Sequence, residues 1–328
     1  MSVLTPPPPP GKRKAWTYRP VAAPPLADFL AGGEARQHFL RYWVRDNRGN
    51  LFDLAFFFAF RMVPAVLCSH FGRWLGRVLV PRAYVGPMQR ARANFTVLFP
   101  DRQPDAIAGM VDAYVESQGR QMVEYSAVTR LARRPGGVCH VGVEHLKECR
   151  DGPVIFMGLH LSNWEILMQC LSDLGLTLSL NYDPPRRRGR HWIVRYVRTR
   201  AGIALLPPGR QAVRPALRVL EAGGQLLVFC DEGFNGQIRA PFLGRPANLE
   251  TNYALVARLA RRTGARICPV YLIREEGVRF TLTILESFDL TCASASLLDD
   301  VERLNAIVEP LVRSHAPQWY FIDNRMVS

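Results

Sequence analysis

A histidine and a glutamate lie five residues apart at the boundary between a predicted strand and a predicted helix. His160 follows the apolar run 154–159, and Glu165 falls where the next helix should begin. On a continuous helix, residues five apart lie roughly 140° from each other, so a strand, a turn and a helix in succession are needed to bring the two side chains together. Glu165 would then orient the imidazole of His160, which would accept a proton from an attacking hydroxyl. We therefore predict a general base and its partner.

The same residues also allow a purely structural interpretation. Ser162 and Glu165 have the spacing of a capping box, in which the glutamate would bind only a backbone N–H at the start of the helix. His160 would then be a hydrogen-bonded histidine of the core. The two roles are compatible, and the sequence leaves both open. Asn163, in the same turn, is expected to bind substrate.

Two further acidic residues follow another predicted strand. Asp231 and Glu232 come directly after the apolar run 226–229 and Cys230. In open α/β sheets ligands bind at the carboxyl ends of the strands, so we expect Asp231 on the same edge of the sheet as His160. There it would act in catalysis, by organising nearby arginines or by contacting the accepting substrate, and Glu232 would bind substrate. The alternative is that Asp231 only caps a turn.

The stretch between Asp183 and Glu221 contains no acidic residue but ten arginines. They are Arg186, Arg187, Arg188, Arg190, Arg195, Arg198, Arg200, Arg210, Arg214 and Arg218. Because a guanidinium group binds phosphate in a bidentate manner, this stretch is suited to a phosphorylated ligand. We expect Arg198, together with Arg195 or Arg200, to bind phosphate or to stabilise a developing oxyanion. The alternative is a solvated basic helix face or a nonspecific membrane patch.

Predicted strands and helices alternate over the C-terminal two thirds of the chain. Apolar runs predict strands at 154–159, 178–180, 226–230, 267–273 and 280–285. Helical patterns lie at 104–131 and near 164–174, 191–201, 211–221, 250–262 and 298–314. The alternation predicts an α/β fold, a layered and largely parallel sheet flanked by helices.

The N-terminal quarter has a different character. Residues 1–36 are rich in proline, glycine and charge, which predicts a disordered basic tail. In residues 37–90 a phenylalanine-rich run is interrupted by charged residues and Pro64, so it fits poorly to a spanning helix of roughly 20 apolar residues. Flanking Trp43 and Trp74 favour a helical segment in the membrane interface, with a buried helical hairpin as the alternative. Residues 91–328 are the predicted catalytic domain.

The charge balance narrows the choice of partners. Lys and Arg number 42 against 28 Asp and Glu, a net charge of +14, which favours nucleic acid, an anionic membrane or an acidic carrier protein. Residues 186–190 contain no aromatic stacking platform, which argues against nucleic acid. The seven cysteines show no paired metal spacing and the chain has no dinucleotide fingerprint, so we expect neither a metal nor a redox cofactor.

Several motifs, taken in order, resemble those of the lipid A biosynthesis (late, or secondary) acyltransferases, within the lysophospholipid-acyltransferase-like superfamily. They are residues 94–101 (Asn-Phe-Thr-Val-Leu-Phe-Pro-Asp), the His160/Glu165 pair, Arg198-Thr199-Arg200, Asp231 after a strand, 241–244 (Pro-Phe-Leu-Gly) with Pro246-Ala247, 257–265 (Ala-Arg-Leu-Ala-Arg-Arg-Thr-Gly-Ala) and 316–320 (Ala-Pro-Gln-Trp-Tyr). The ordered set covers about residues 91–325 and is far more specific than the His-x4-Glu spacing by itself.

This resemblance implies a membrane-associated enzyme on the cytoplasmic face of the bacterial inner membrane. It would move a fatty acyl chain from acyl carrier protein, or from coenzyme A, to a hydroxyl of a lipid acceptor, in the first place a lipid A precursor. His160 matches the family's base, Glu165 its partner, Arg198 the motif arginine and Asp231 the acidic site residue. The acyl thioester is a co-substrate, and no cofactor is implied.

Two departures from the family pattern leave the acceptor open. Tyr182-Asp183-Pro184 stands where the family often has Tyr-Arg-Pro, and residues 321–325 (Phe-Ile-Asp-Asn-Arg) replace the usual Trp-x-His-Arg-Arg. A glycerophospholipid or other glycolipid acyltransferase is therefore an alternative, although a Phe-Pro-Glu-Gly-Thr-type phosphate motif is missing. Outside the enzymes, the alternatives are a membrane scaffold with an inactive site and a basic membrane- or nucleic-acid-binding protein.

Overall fold

The computed structural model describes residues 22–231, 233–234, 236–290 and 296–326. Seven α-helices precede the sheet. They are α1 (Leu26–Ala31), α2 (Gly33–Leu40), α3 (Asp46–Met62), α4 (Ala65–Ala83), α5 (Val85–Leu98), α6 (Pro104–Glu124) and α7 (Val128–Ala132). Among the described residues, no helix is both long enough and apolar enough to cross a membrane.

The helical region begins before the expected boundary at residue 36. Residues 1–21 of the predicted tail lie outside the described residues, but α1 and the first half of α2 fall within it. Local contacts explain why these helices form: the indole of Trp43 donates to the carbonyl of Pro24 at 3.0 Å, and the rings of Phe29 and Phe39 lie 5.4 Å apart. The composition of this segment predicts disorder, but packing between aromatic side chains stabilises α1 and α2.

Helices α4 and α6 pack against each other through glycine. A Cβ at Gly119 of α6 would overlap the backbone of Gly72 and Gly76 on α4, so the two helices approach more closely than side chains would permit. Helix α3 ends before Pro64, because the residue preceding a proline is driven to an extended conformation, as Val63 shows with ψ 141°. The helices of the predicted N-terminal region therefore pack on α6 of the region that follows.

The remainder of the chain has the predicted α/β architecture. Its strands are β1 (Val138–Val141), β2 (Val154–Gly158), β3 (Leu178–Asn181), β4 (Ala204–Leu206), β5 (Gln225–Phe229), β6 (Gly233–Phe234), β7 (Gln237–Ile238), β8 (Arg266–Glu276), β9 (Arg279–Ile284) and β10 (Arg325–Met326). Seven of them form one sheet in the order β1-β9-β8-β2-β5-β3-β4. Every neighbouring pair in it is parallel except β8 and β9, which confirms the largely parallel sheet.

Helices cover both faces of this sheet. The later helices are α8 (Trp164–Asp173), α9 (Arg188–Arg200), α10 (Val213–Glu221), α11 (Asn252–Thr263) and α12 (Leu297–Ser314). One apolar cluster joins α10, α11 and α12 to one face, and a second joins α8 and α9 to the other. All five residues of β2 are buried, as expected for a central strand of a two-sided parallel sheet.

Strands β2 and β5 are neighbours in parallel register. Gly158 at the end of β2 pairs with Phe229 at the end of β5, and the N–H of Cys230 donates to the carbonyl of Gly158 at 3.2 Å. The residues that follow the two strands, His160 and Asp231, therefore emerge side by side at one edge of the sheet.

Candidate active site

His160 and Asp231 form the pair at the centre of this edge. The Nδ1 atom of His160 lies 2.9 Å from Oδ1 of Asp231, and the backbone N–H of His160 donates to Oδ2 at 2.7 Å. The expectation that Asp231 shares an edge with His160 is confirmed. The side chain of Asp231 is fully buried and that of His160 is 10% exposed, so the carboxylate lies behind the imidazole.

A third donor fixes the Asp231 carboxylate. The indole N–H of Trp319 donates to Oδ2 at 3.0 Å, so this oxygen accepts two hydrogen bonds while Oδ1 faces the imidazole. A carboxylate next to Nδ1 favours the tautomer that carries its proton on Nδ1, which leaves the lone pair on Nε2. No described residue forms a hydrogen bond with Nε2 of His160. The arrangement is therefore that of an oriented general base.

Aromatic rings surround the imidazole on three sides. The ring of Phe229 stacks on His160 with centroids 4.1 Å apart, and Trp164 and Phe321 approach edge-on at 4.8 and 5.1 Å. Tyr320 packs on Trp164 in turn at 4.9 Å. These contacts limit rotation of the imidazole and exclude water from its faces, so the ring is held ready for proton transfer.

Glu165 has a different partner from the one predicted. Its carboxylate accepts from Arg198, with Nη2 to Oε1 at 2.8 Å, and from the hydroxyl of Tyr125. The prediction that Glu165 orients His160 is wrong, because α8 begins at Trp164 and its second residue faces α9 and the turn before α7. Asp231, from the neighbouring strand, takes the place beside the imidazole.

The pair of Glu165 and Arg198 is buried and charged. The two side chains are 1% and 13% exposed. Burial alone would lower the pKa of Arg198, but the charge and hydrogen bonds of Glu165, together with Tyr125, raise it above its ordinary value. Burial and the same negative charge raise the pKa of Tyr125 well above its ordinary value, so Tyr125 is a protonated donor to Glu165.

The predicted capping box does not form. Asn163 is the N-cap of α8, and its Oδ1 accepts from the N–H of Glu165 at 3.2 Å. Ser162 has a positive φ of 51°, a conformation that turns the chain sharply before the helix, and its hydroxyl has no hydrogen-bond partner among the described residues. Asn163 is fully buried with both ends of its amide bonded within the protein, and its assignment to substrate binding stays a prediction.

The predicted arginine cluster divides into groups with different surroundings. Asp231 binds His160 and Trp319, so the expectation that it organises arginines is wrong. Arg195 and Arg200 are exposed on α9 and lie outside the hydrogen bonds of the His160 pair, so their assignment to substrate binding stays a prediction. Glu232 lies outside the described residues.

Three arginines at the start of α9 hold the N-terminal helices. Arg187 and Arg190 form ion pairs with Asp53 of α3, at 3.0 and 3.3 Å. Arg188 donates to the side chain of Asn47 at 2.6 Å and lies over the ring of Tyr42 at 3.6 Å from its centroid. These arginines therefore have a structural role that the sequence pattern did not reveal.

Glu124 is a buried acidic residue that the sequence reasoning missed. It accepts from Ser69 at 2.6 Å, from Nδ2 of Asn163 at 3.0 Å and from Nη2 of Arg274 at 2.7 and 2.9 Å. Burial opposes its ionisation, but Arg274 and the two neutral donors hold its pKa below the ordinary value. Glu124 thus fixes the turn that follows His160, and no local sequence signal marks it.

The C-terminal segment closes the site. The N–H of Tyr320 donates to the carbonyl of His160 at 3.0 Å, and the N–H of Ser162 donates to the carbonyl of Gln318 at 2.9 Å. Asn94 of α5 in turn donates to the carbonyls of Ile322 and Asn324. The 316–320 motif therefore borders the turn that follows His160, and Asn94 of the 94–101 motif holds the chain immediately after it.

The chemistry available is proton abstraction from a hydroxyl by Nε2 of His160. Asp231 stabilises the imidazolium that forms, because its buried carboxylate cannot exchange its partners for water. Within the described ranges, no group of three His, Cys, Asp or Glu side chains is arranged to hold a metal ion.

Similar proteins are found among protein families and among solved structures. Residues 35–327, most of the chain, match the family described as bacterial lipid A biosynthesis acyltransferase. Among solved structures the chain is similar to the 1-acyl-sn-glycerophosphate (LPA) acyltransferase PlsC from Thermotoga maritima, with 17% sequence identity and a TM-score of 0.36, over 77% of this chain and 98% of that chain. No curated protein matches the chain.

Proposed function

The chain belongs to the bacterial lipid A biosynthesis acyltransferase family, and on that premise we propose that it transfers a fatty acyl chain from an acyl thioester to a hydroxyl of a lipid A precursor. The observation that carries the proposal is the oriented pair of His160 and Asp231, with Nε2 of the imidazole left unbonded by any described residue. A pair of this kind activates a hydroxyl, which is the acceptor group that the reaction requires.

The proposed reaction needs no covalent enzyme intermediate. Nε2 of His160 takes the proton of the acceptor hydroxyl as the oxygen attacks the thioester carbonyl carbon. Asp231 stabilises the imidazolium while the tetrahedral intermediate exists. When the intermediate collapses, the carbon–sulfur bond breaks and the imidazolium returns its proton to the leaving thiolate. The products are an ester and a free thiol, and the base is regenerated.

Arg198 has a positioning role in this proposal, in place of direct contact with the oxyanion. Its guanidinium is engaged by Glu165 through three hydrogen bonds, from Nε at 3.1 and 3.2 Å and from Nη2 at 2.8 Å. The pair ties the first turn of α8 to α9 and thereby fixes the helix that carries Trp164 against the imidazole of His160.

The proposed donor is acyl carrier protein, with coenzyme A as the alternative carrier of the same thioester. The net charge of +14 suits an acidic donor protein and an anionic membrane surface equally. Other glycolipid and glycerophospholipid hydroxyls are the alternative acceptors, since the residues from Phe321 to Arg325 beside the site depart from the family pattern.

Lipid mass spectrometry on the native host tests the reaction and the acceptor together. A deletion strain complemented with the wild-type gene is compared with one complemented with His160→Ala, at matched protein levels. We expect a lipid A species that is one acyl chain heavier only with the wild type. A change confined to another lipid would retain the reaction and overturn the acceptor, and identical lipids in both strains would contradict an acyltransferase.

We also propose that α3 and α4 contact the cytoplasmic face of the inner membrane. Large apolar side chains on these helices are exposed, among them Phe52, Phe58, Met62, Leu67, Phe71 and Trp74. Helix α4 buries its glycine face against α6, so the apolar residues on its other faces remain uncovered. Exposed aromatic and aliphatic side chains beside arginine are typical of helices that lie in a membrane interface.

Vesicle binding tests this surface. The double variant Met62→Ser/Trp74→Ser removes two side chains that are 86% and 56% exposed, so the fold should be preserved. We expect its partition coefficient on phosphatidylglycerol-containing vesicles to fall roughly tenfold or more, because each side chain loses its transfer into the interface. The control is Leu249→Ser/Leu298→Ser, two exposed leucines elsewhere. Equal binding by the two variants would contradict the assignment of the membrane surface to α3 and α4.

A further inference from the structure

Three arginines form a stripe along α10. Arg210 lies in the 3-10 turn Gly209–Ala212 that runs directly into α10, and Arg214 and Arg218 follow at intervals of four residues. Side chains four apart share one face of a helix, and all three are exposed. We call these three residues the α10 stripe.

The α10 stripe has no acidic partner. Arg187 and Arg190 bind Asp53, and Arg198 binds Glu165, whereas none of the three stripe arginines forms an ion pair with a described residue. Within the stripe, Nε of Arg218 donates to the carbonyl oxygen of Arg214 at 3.4 Å. An aligned row of unneutralised positive charge is therefore presented to an external partner.

The surroundings of the stripe differ from those of the proposed membrane surface. No large apolar side chain is exposed on α10, whereas α3 and α4 expose many. Ala216 and Leu220 of α10 join the apolar cluster on one face of the sheet, and Ala201, at the end of α9, joins the cluster on the other face. Phe57 of α3 packs on α9, so the α3 surface and the stripe lie on different sides of the sheet. A membrane that contacts the exposed side chains of α3 therefore lies across the sheet from α10.

The stripe begins close to the catalytic edge. Its first residue follows β4, so it starts at the same carboxyl edge of the sheet that carries His160. Three strand-to-strand steps separate β4 from β2, which at about 4.8 Å each places the two strand ends roughly 14 Å apart. A flexible prosthetic arm of several amide units can bridge a gap of this size.

We propose that the α10 stripe is the docking surface for the acyl carrier protein that delivers the thioester. This inference rests on the proposed function and adds to it the surface that recognises the donor. An acidic helix laid along α10 would present its carboxylates to the three guanidinium groups, and such complementary charge at a rim steers association and selects the partner. Coenzyme A carries the same thioester but presents compact phosphates in place of an acidic helix, so the two donors make different demands on a row of arginines.

The test measures binding of acyl carrier protein and turnover separately. The variant is Arg214→Gln/Arg218→Gln, which keeps helix propensity because glutamine is nearly as good a helix former as arginine. The control is Arg134→Gln/Arg150→Gln, which removes the same charge from two exposed arginines that form no ion pair with described residues. Fluorescence anisotropy of labelled acyl carrier protein, titrated with the full-length enzyme in detergent, gives the Kd without requiring turnover.

We expect the stripe variant to raise the Kd for acyl carrier protein roughly threefold to thirtyfold, since two exposed charge pairs are lost. The KM for acyl-carrier-protein substrate should rise in parallel while kcat and the KM for acyl-coenzyme A are unchanged. The control should match the wild type. Added salt should weaken binding of the wild type more than that of the variant.

Three outcomes would overturn the inference. Equal increases in KM for both donors would mean that the stripe acts on the fold or on the site. Weaker vesicle binding with unchanged Kd would assign the stripe to the membrane. If the wild-type enzyme did not bind the carrier protein but still transferred acyl chains from coenzyme A, the docking proposal would be contradicted. The proposed acyltransferase function would not be affected by that result.

Discussion

Asp231→Asn is expected to lower kcat by roughly 10³- to 10⁴-fold without unfolding the protein. Oδ2 of Asp231 accepts from the backbone of His160 and from Trp319, so the amide oxygen of an asparagine would take that position. The amide NH2 would then face Nδ1 and force the imidazole into the tautomer that carries its proton on Nε2. A protonated Nε2 cannot accept the proton of the acceptor hydroxyl.

The measurement is single-turnover acyl transfer, with thermal unfolding recorded on the same preparations. Asp173→Asn is the matched control, because Asp173 has the same chemistry but pairs with Arg133 on the surface. Because Asp231 is buried, its replacement is expected to lower stability moderately, so the assay is run at a temperature where both proteins are folded. Retention of more than a tenth of wild-type kcat by Asp231→Asn would exclude Asp231 as the partner of the base.

The location of the candidate site could be predicted from the sequence, whereas the pairing of His160 with Asp231 could not. Apolar runs that end at residues 159 and 230 indicate buried strands, and the carboxyl-edge rule then brings His160 and Asp231 to one edge. The strand order adds that β2 and β5 are immediate neighbours, and this depends on tertiary packing. A pattern within one segment cannot show which of two carboxylates reaches the imidazole.

The conformation of the turn between His160 and Glu165 explains why the predicted contact between these two side chains does not form. Ser162 adopts a positive φ of 51°, which is unusual for a residue other than glycine, and Asn163 replaces Ser162 as the N-cap. Both follow from contacts made at long range: Gln318 binds the N–H of Ser162, and Glu124 binds the amide of Asn163. Local propensity favoured the capping box, and the surrounding network overrode it.

The arginine-rich stretch between Asp183 and Glu221 illustrates a second limit of prediction from sequence. Composition suggested one phosphate-binding cluster, but in the structure the arginines at the start of α9 bind Asp53 and Asn47, and Arg198 binds Glu165. The partners come from α3 and α8, both outside the arginine-rich stretch. Charge density predicts that anions will be bound, but the three-dimensional arrangement decides which guanidinium groups remain free to bind them.

Glu165→Gln is expected to lower the free energy of unfolding by about 3–5 kcal/mol, because it leaves the charge of Arg198 buried without its counter-ion. The double variant Glu165→Gln/Arg198→Met should regain most of that loss, since methionine fills the site without a charge and glutamine still accepts from Tyr125. Urea unfolding of the wild type, both single variants and the double variant gives the coupling energy directly.

The turnover of the double variant distinguishes a positioning role of Glu165 and Arg198 from a direct role in the reaction. The hydrogen bonds between His160 and Asp231 do not involve either substituted residue, so the folded double variant should retain far more turnover than Asp231→Asn. A protein that recovers its stability yet is as inactive as Asp231→Asn would mean that Glu165 or Arg198 contacts the reacting groups. Recovery of both properties would show that the His-x4-Glu spacing in this chain joins a base to a structural ion pair, and that the partner of the base comes from the neighbouring strand.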